Sequence, residues 1–142
     1  MNVPQSTTVP KMKPRFQLPS PAVQTLLDNF AGRKVAMARE MENGLIGKSF
    51  NIVFTNGDEL EFDGNGQWKE IICRTSPVPS SLLPSAIARY TARNYPAAYV
   101  TQIFRYGEEY DVELSTGLML SFNDHLRVVE IVPDMMLERL EA

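Results

Sequence analysis

Residues 50–71 read FNIVFTNGDELEFDGNGQWKEI, and residues 110–131 read YDVELSTGLMLSFNDHLRVVEI. At a constant offset of 60 positions (117 − 57), Gly57 aligns with Gly117 and the apolar positions stay in register. Each segment alternates apolar and polar residues and contains a turn at the aligned glycine and a second polar turn, which is typical of three short antiparallel strands. The sequence therefore predicts a β-meander that occurs twice.

An amphipathic helix is predicted before each meander. Before the first, Ser20 can cap the helix and Pro21 suits its first position, where no backbone donor is needed. The second helix is expected over about 81–94. Asn29 aligns with Asn94 at an offset of 65 (94 − 29), which predicts a first helix about five residues shorter than the second and a first hairpin loop about five residues longer. The apolar stripes consist of Val23, Leu26, Leu27 and Phe30 in the first helix and of Leu83, Ile87 and Tyr90 in the second.

Together these elements form an α-β-β-β-β unit that is duplicated. Each meander has one apolar face that a helix can cover, and an antiparallel sheet tolerates an open opposite face. We therefore predict an α+β fold with one antiparallel sheet of about eight strands and helices on one face. The predicted boundaries are a flexible leader over 1–17, a first repeat over 18–76, a second repeat over 77–132, and a short C-terminal tail or helix over 133–142.

The composition argues against several classes of function. The formal net charge is −3 and basic residues are dispersed, whereas nucleic-acid binding needs a concentrated Lys/Arg surface. Cys73 is the single cysteine and lies in an apolar run, so we expect a small buried side chain, and an intramolecular disulfide is excluded. No apolar run approaches the roughly 20 residues of a membrane span, and no signal peptide is visible.

No catalytic or metal site is predicted. Asp63 begins a segment like a calcium loop, but the positions where an EF-hand needs Gly and Glu hold Trp68 and Arg74. His125 is the only histidine, with no second ligand at zinc spacing and no nucleophile motif beside it. We therefore predict that the protein is not an enzyme and holds no cofactor.

The open face of the sheet is the predicted binding surface. Aromatic side chains among polar neighbours can anchor a partner. The alternative left open is that Trp68 caps the core and that Phe104 packs under a loop. The predicted contact residues are the aromatic Phe104, Tyr106 and Trp68 and the acidic Glu61, Asp111 and Glu113.

The order of these signals resembles the PepSY-like family of small bacterial proteins, which is described as similar to the beta-lactamase inhibitor protein. The resemblance spans roughly 18–132. The second repeat departs from the first where NDHL (123–126) aligns with DGNG (63–66). The motifs that carry the resemblance are FTNG (54–57), EFD (61–63), GQW (66–68), VP (78–79), YP (95–96), YDVEL (110–114), Gly117 and LSF (120–122).

The resemblance implies a non-catalytic exported domain, periplasmic or secreted, of a kind associated with peptidase inhibition. The leading hypothesis is a binding module that holds a protein or peptide, such as a peptidase or an envelope component, against the open face. One alternative is a small-molecule carrier or small enzyme with a cavity between helices and sheet. Another is a structural or assembly protein that pairs through sheet edges. We expect a monomer or a weak homodimer.

Overall fold

Two helices and one eight-stranded sheet make up residues 16–133, the part of the chain that the computed structural model describes. The predicted α+β fold is confirmed. The helices are α1 (Ser20–Asn29) and α2 (Ser85–Asn94), and short 3₁₀ turns span Gly44–Ile46 and Ser80–Leu82. The strands are β1 (Val35–Glu42), β2 (Lys48–Phe54), β3 (Glu59–Asp63), β4 (Trp68–Ile72), β5 (Val100–Tyr106), β6 (Glu109–Leu114), β7 (Met119–Phe122) and β8 (Val128–Val132).

The strands follow one another in chain order across the sheet, and every neighbouring pair is antiparallel. The two meanders join where β4 pairs with β5. The repeat is also visible in single backbone hydrogen bonds. Thr55 N–H donates to Lys34 O at 2.9 Å, and at the aligned positions Ser115 N–H donates to Tyr99 O at 2.7 Å. The two halves are therefore structural copies of one unit.

The hydrophobic core lies on one face of the sheet, and both helices contribute to it. Alternate apolar side chains of each strand point to this face, as expected for a sheet with one buried side. Within residues 16–133, this arrangement leaves the opposite face without a covering helix. Fully buried core residues include Leu60, Phe62, Ile71, Ile87, Ile103, Val112, Leu120 and Phe122.

The buried side of α1 differs from the predicted stripe. Val23 is exposed and Leu27 is 61% exposed, whereas Ala22 is fully buried. The turn at Gly66 approaches the start of α1 so closely that a Cβ added at Gly66 would lie 3.0 Å from the Ala22 nitrogen. The backbone of α1 at Ala22 therefore lies directly against this turn, and a side chain on residue 66 would not fit there. Of the predicted stripe, Leu26 is half-buried and Phe30 is buried.

Proline rather than serine marks the start of both helices. Pro19 is the N-cap of α1 and no side chain caps the helix, so the predicted capping by Ser20 is wrong. Pro84 is the N-cap of α2, which begins at Ser85 instead of residue 81. Leu83 is extended (φ −84°, ψ 137°), because the ring of a following proline disfavours helical backbone.

The two helices are equally long, so the predicted difference in helix length is wrong. Each has 10 residues, and Pro19 aligns with Pro84 at the same offset of 65 (84 − 19) as their last residues. The five extra residues of the second repeat lie before α2, and three of them form the 3₁₀ turn Ser80–Leu82. The first repeat has the longer first hairpin loop, which carries the exposed Leu45 and Ile46.

Phe16 packs against the domain, although the sequence placed it in the leader. Its ring centroid lies 5.6 Å from that of Phe50. The leader up to residue 15 and the short helix predicted after Pro133 lie outside the described residues. Within residues 16–133, neither helix has the length and hydropathy that a membrane span requires.

Candidate binding surface on the open face of the sheet

One row of side chains crosses the open face in direct cross-strand register. Glu70 lies opposite Phe104 across β4 and β5, and Phe104 lies opposite Asp111 across β5 and β6. Their sequence neighbours Ile71 and Ile103 are fully buried, so this row points away from the core. We call it the central row; from β1 to β8 it contains Arg39, Asn51, Glu61, Glu70, Phe104, Asp111, Ser121 and Glu130.

A second row lies beside the central row, two residues away along each strand. Apolar and acidic side chains mix along it. The open face is therefore neither uniformly polar nor uniformly apolar, a composition that suits contact with another protein. From β1 to β8 the second row contains Met37, Val53, Glu59, Ile72, Gln102, Glu113, Met119 and Val132.

Phe104 and Tyr106 form a stacked aromatic pair on this face. Their ring centroids are 6.2 Å apart with an interplanar angle of 13°. Tyr106 is 58% exposed and Phe104 is half-buried. Phe104 stands between two carboxylates of the central row. The pair therefore presents an accessible apolar surface within an acidic surround.

Trp68 lies on the covered face, so its predicted place on the open face is wrong. A bulge in β4 pairs Glu61 with Glu70 but Phe62 with Trp68, whereas strict alternation would turn Trp68 to the same side as Glu70. Trp68 is 8% exposed and packs in the core cluster. The Arg105 guanidinium sits 4.4 Å above its ring, and Arg105 Nε donates to Trp68 O at 3.1 Å. Trp68 is therefore removed from the candidate contact residues.

Carboxylates surround the aromatic pair, and only some have a cationic partner. Glu61 pairs with Lys69 at 3.4 Å, and Glu59 pairs with Arg74 at 3.3 Å. Both are partly exposed surface pairs, which contribute little to stability. Within residues 16–133, no ion pair is formed by the remaining acidic members of the two rows, which are Glu70, Asp111, Glu113 and Glu130.

Glu70 is the acidic residue that the sequence-based prediction missed. Burial raises its pKa, and the nearby carboxylates of Glu61 and Glu59 raise that pKa further. Glu61 is its direct cross-strand neighbour, and like charges in that position repel. The alternation of side-chain direction along β4 places Glu70 on the open face, because its neighbour Ile71 is a core residue.

Asn51 carries a buried polar atom without a partner in the central row. The residue is 9% exposed, and its Oδ1 accepts no hydrogen bond from the described residues. Its Nδ2 donates a long bond of 3.4 Å to Leu60 O. An unpaired buried acceptor costs free energy. The Asn51 acceptor is therefore unpaired in the described residues, whereas Glu61 opposite it accepts a bond from Lys69 Nζ at 3.4 Å.

Asp63 stabilises a turn, and the second repeat shows that its charge is not needed there. Asp63 Oδ1 accepts bonds from the N–H groups of Asn65 and Gln67 at 2.9 and 3.0 Å. At the aligned position, the uncharged Asn123 accepts the equivalent two bonds at 2.9 and 3.0 Å. Turn geometry thus accounts for Asp63 without a metal ion. Across residues 16–133, no group of three or more His, Cys, Asp or Glu residues is arranged to hold a metal.

Asp58 is a fully buried carboxylate that sequence reasoning also missed. It forms an ion pair with Arg33, accepts a bond from Asn56 Nδ2 at 3.1 Å, and accepts one from Arg74 N–H at 2.8 Å. These bonds connect the loop after α1 and the loop after β4 to the β2–β3 hairpin. The linear pattern gives no signal for this network, since NGD at residues 56–58 has the composition of an exposed turn. Its role is structural.

Two depressions on the surface, of about 350 and 430 Å³, lie away from the boundary between helices and sheet. The carrier and enzyme alternatives require a cavity at that boundary. Burial raises the pKa of Cys73, at the rim of the first depression, to about 11, which keeps the thiol protonated. The first depression includes Ile72, Arg74, Gln102 and Glu113, and the second includes Asn43, Lys48, Asp63 and Lys69.

Comparison with protein families gives one match to this chain. A family described as "Putative beta-lactamase-inhibitor-like, PepSY-like" matches residues 48–130. No curated protein sequence matches the chain. The matched segment begins with β2 and ends within β8, so it contains most of the candidate surface.

Three solved structures from Bacteroides species share this fold, each covering 82% of the chain. A "putative periplasmic protein from DUF2874 family" of Bacteroides vulgatus is 40% identical, with a TM-score of 0.79 and 91% of that chain covered. A "putative calcium-regulated periplasmic protein" of Bacteroides thetaiotaomicron is 37% identical, with a TM-score of 0.78 and 91% covered. A "putative periplasmic protein of unknown function" of Bacteroides vulgatus is 29% identical, with a TM-score of 0.76 and 92% covered.

Proposed function

The chain belongs to the PepSY-like family, and on that premise we propose that it is a non-catalytic module that binds a protein or peptide of the bacterial envelope. The description of similar proteins as periplasmic supports a periplasmic location. The inhibitor-like description of the family makes an envelope enzyme, such as a peptidase, the first class of partner to test. The proposed contact residues are Phe104, Tyr106, Glu61, Glu70, Asp111 and Glu113.

One observation carries this proposal: the stacked pair of Phe104 and Tyr106 stands on a sheet face that has no helix over it in the described residues. Partly exposed aromatic side chains at the centre of a surface are the typical anchors of protein interfaces. The sheet holds both side chains in fixed register, so little conformational entropy is lost when a partner binds. The surrounding carboxylates supply the polar rim that gives such interfaces specificity.

Affinity capture from an envelope extract of the native host tests the proposal. The bait is the full chain, compared with a Phe104→Ala/Tyr106→Ala variant and with Tyr99→Ala as matched control. Tyr99 is also exposed but precedes β5, outside both rows. Because one relative is described as calcium-regulated, the capture is run with calcium and with a chelator.

We expect the wild type and Tyr99→Ala to capture the same identified protein, and the double variant to lose it. Since Tyr106 is exposed and Phe104 lies outside the buried core, thermal denaturation of the double variant should stay close to that of the wild type. Capture of the same protein by the folded double variant would refute this surface. Failure of every bait to capture a specific protein would refute the binding function.

Assembly through a sheet edge is a second candidate, favoured by the exposure of β8. This strand is the last in the sheet of the described residues and exposes Val129, Ile131 and Val132. At the aligned position of the first repeat, Ile71 is fully buried because β5 continues the sheet. An uncovered edge with apolar side chains is a template for pairing with another strand. A dimer that Val129→Lys dissociates, together with failed capture, would favour assembly.

A further inference from the structure

We infer that the open face recognises a positively charged segment of its partner, with a Lys or Arg side chain seated on Phe104 between Glu70 and Asp111. This inference rests on the proposed function and specifies the chemistry of the partner. Glu70 and Asp111 are the two direct cross-strand neighbours of Phe104. A cation over the ring would therefore meet an aromatic face and two carboxylates together.

The charge of the surface is compensated only in part in the described residues, because Lys69 and Arg74 pair with Glu61 and Glu59 alone. Glu70, Asp111, Glu113 and Glu130 form no ion pair there, and the central row has Arg39 as its only basic member. The potential of such a face attracts cations and repels anionic partners such as nucleic acids or acidic membrane surfaces. Because the face is negatively charged, the complementary surface of the partner is positively charged.

The fold does not require this accumulation of charge. Glu61 stands directly opposite Glu70, an arrangement that destabilises a sheet. In the second repeat the aligned pair is Ser121 opposite Glu130, and the same meander forms without the repulsion. Since the meander can form without two glutamates facing each other, the repulsion between Glu61 and Glu70 points to a functional cause.

The chemistry of the two carboxylates beside Phe104 selects a cation. Glu70 and Asp111 flank the ring in cross-strand register, and neither forms an ion pair in the described residues. Ammonium and guanidinium groups supply several donors and no acceptor. A cationic side chain from the partner, seated on Phe104, would therefore satisfy Glu70 and Asp111 together. A neutral or acidic segment would leave these acceptors unpaired.

Titration of the isotope-labelled full chain with peptides, followed by NMR, tests this inference. The probe is a blocked peptide of alternating Lys and Thr, and the comparison peptides carry Gln or Glu in place of Lys. We expect the Lys peptide alone to shift amide signals of β4, β5 and β6 around Phe104. Its affinity should fall as salt is added, because exposed charges are screened.

A charge-neutral double variant tests the two carboxylates. Glu70→Gln/Asp111→Asn should weaken binding of the Lys peptide about tenfold, the sum of two exposed ion pairs. The matched control is Asp28→Asn/Glu108→Gln, which changes the net charge equally on α1 and on the β5–β6 turn. We expect the control to bind like the wild type.

The outcomes separate this inference from the proposed function. Equal shifts from the Lys and Gln peptides, or equal weakening by both double variants, would overturn the charge inference and leave open-face binding in place. Absence of shifts around Phe104 with the Lys peptide would also overturn the inference. In that case the capture experiment with the Phe104→Ala/Tyr106→Ala variant still decides the proposed function independently.

Discussion

A single buried carboxylate, Asp58, holds three segments of the first repeat together. Removing its partner with Arg33→Ala would leave this charge buried and unpaired, and we expect a loss of about 3 kcal/mol in the free energy of unfolding. The second repeat has Leu118 and Ala98 at the aligned positions and needs no such pair. The double variant Arg33→Ala/Asp58→Leu should therefore recover part of the loss.

Urea denaturation of the wild type, both single variants and the double variant measures this coupling. The interaction energy from the double-mutant cycle should be clearly favourable, because the two residues are in direct contact. Simple additivity of the two single losses would show that the pair does not act as a unit. The distant substitution Glu108→Gln serves as a control and should change stability by less than about 0.5 kcal/mol.

At the scale of elements, the two aligned turns between the last strands of each meander tolerate different residues. Gly66 (φ +87°) and Leu126 (φ +59°) both have left-handed backbone, which costs an L side chain roughly 1–2 kcal/mol. A Cβ on Gly66 would also lie 2.8 Å from the Pro19 Cβ. We expect Gly66→Ala to lower the free energy of unfolding by about 2 kcal/mol, from backbone strain and overpacking together.

Leu126→Gly is the matched variant, and thermal or urea denaturation of both gives the comparison. Removal of the strain at Leu126 should offset most of the packing lost by this half-buried side chain, for a net change within about 1 kcal/mol. A large loss of unfolding free energy in Leu126→Gly with none in Gly66→Ala would show that Leu126 is not strained and that Gly66 is not tightly packed.

At the scale of the whole molecule, repulsion between carboxylates on the open face makes the stability of the protein depend on pH. The pKa of Glu70 is raised by burial and then by Glu61 and Glu59. The pKa of Glu70 is therefore higher in the folded protein than in the unfolded chain. Between these two pKa values the folded protein binds more protons, so the free energy of unfolding falls as the pH rises through this range. Glu70→Gln should therefore raise the free energy of unfolding at neutral pH by about 0.5 kcal/mol.

Urea denaturation of wild type and Glu70→Gln over a pH series checks this expectation. The difference should disappear below about pH 4, where the carboxyl of the unfolded chain is itself protonated. Added salt should also reduce the difference, since part of it comes from repulsion between partly exposed charges. A destabilised Glu70→Gln at neutral pH would contradict the inferred repulsion, and would mean that Glu70 makes a favourable contact in the folded state.

The candidate surface could be predicted in part from the sequence. Alternation alone assigned Glu61, Asp111 and Glu113 to the side of the sheet opposite the core, where the structure also places them. The sequence left Trp68 between the open face and a cap on the core, and a bulge that depends on the geometry of β3 against β4 places it in the core. It missed that Glu70 lies opposite Phe104, because this register is set by the pairing of β4 in the first repeat with β5 in the second.

The sequence by itself determined the duplicated meander, its turns and its single buried face. Those features follow from local preferences of the chain and from the two-residue period of a strand, which are written in consecutive residues. Tertiary structure alone decided the residue of α1 that faces the sheet, the burial of Asp58 with Arg33, and the register of β4 against β5. Each of these depends on contacts between residues distant in the chain, where close packing and the pairing of buried charge select one arrangement among several that the local pattern allows.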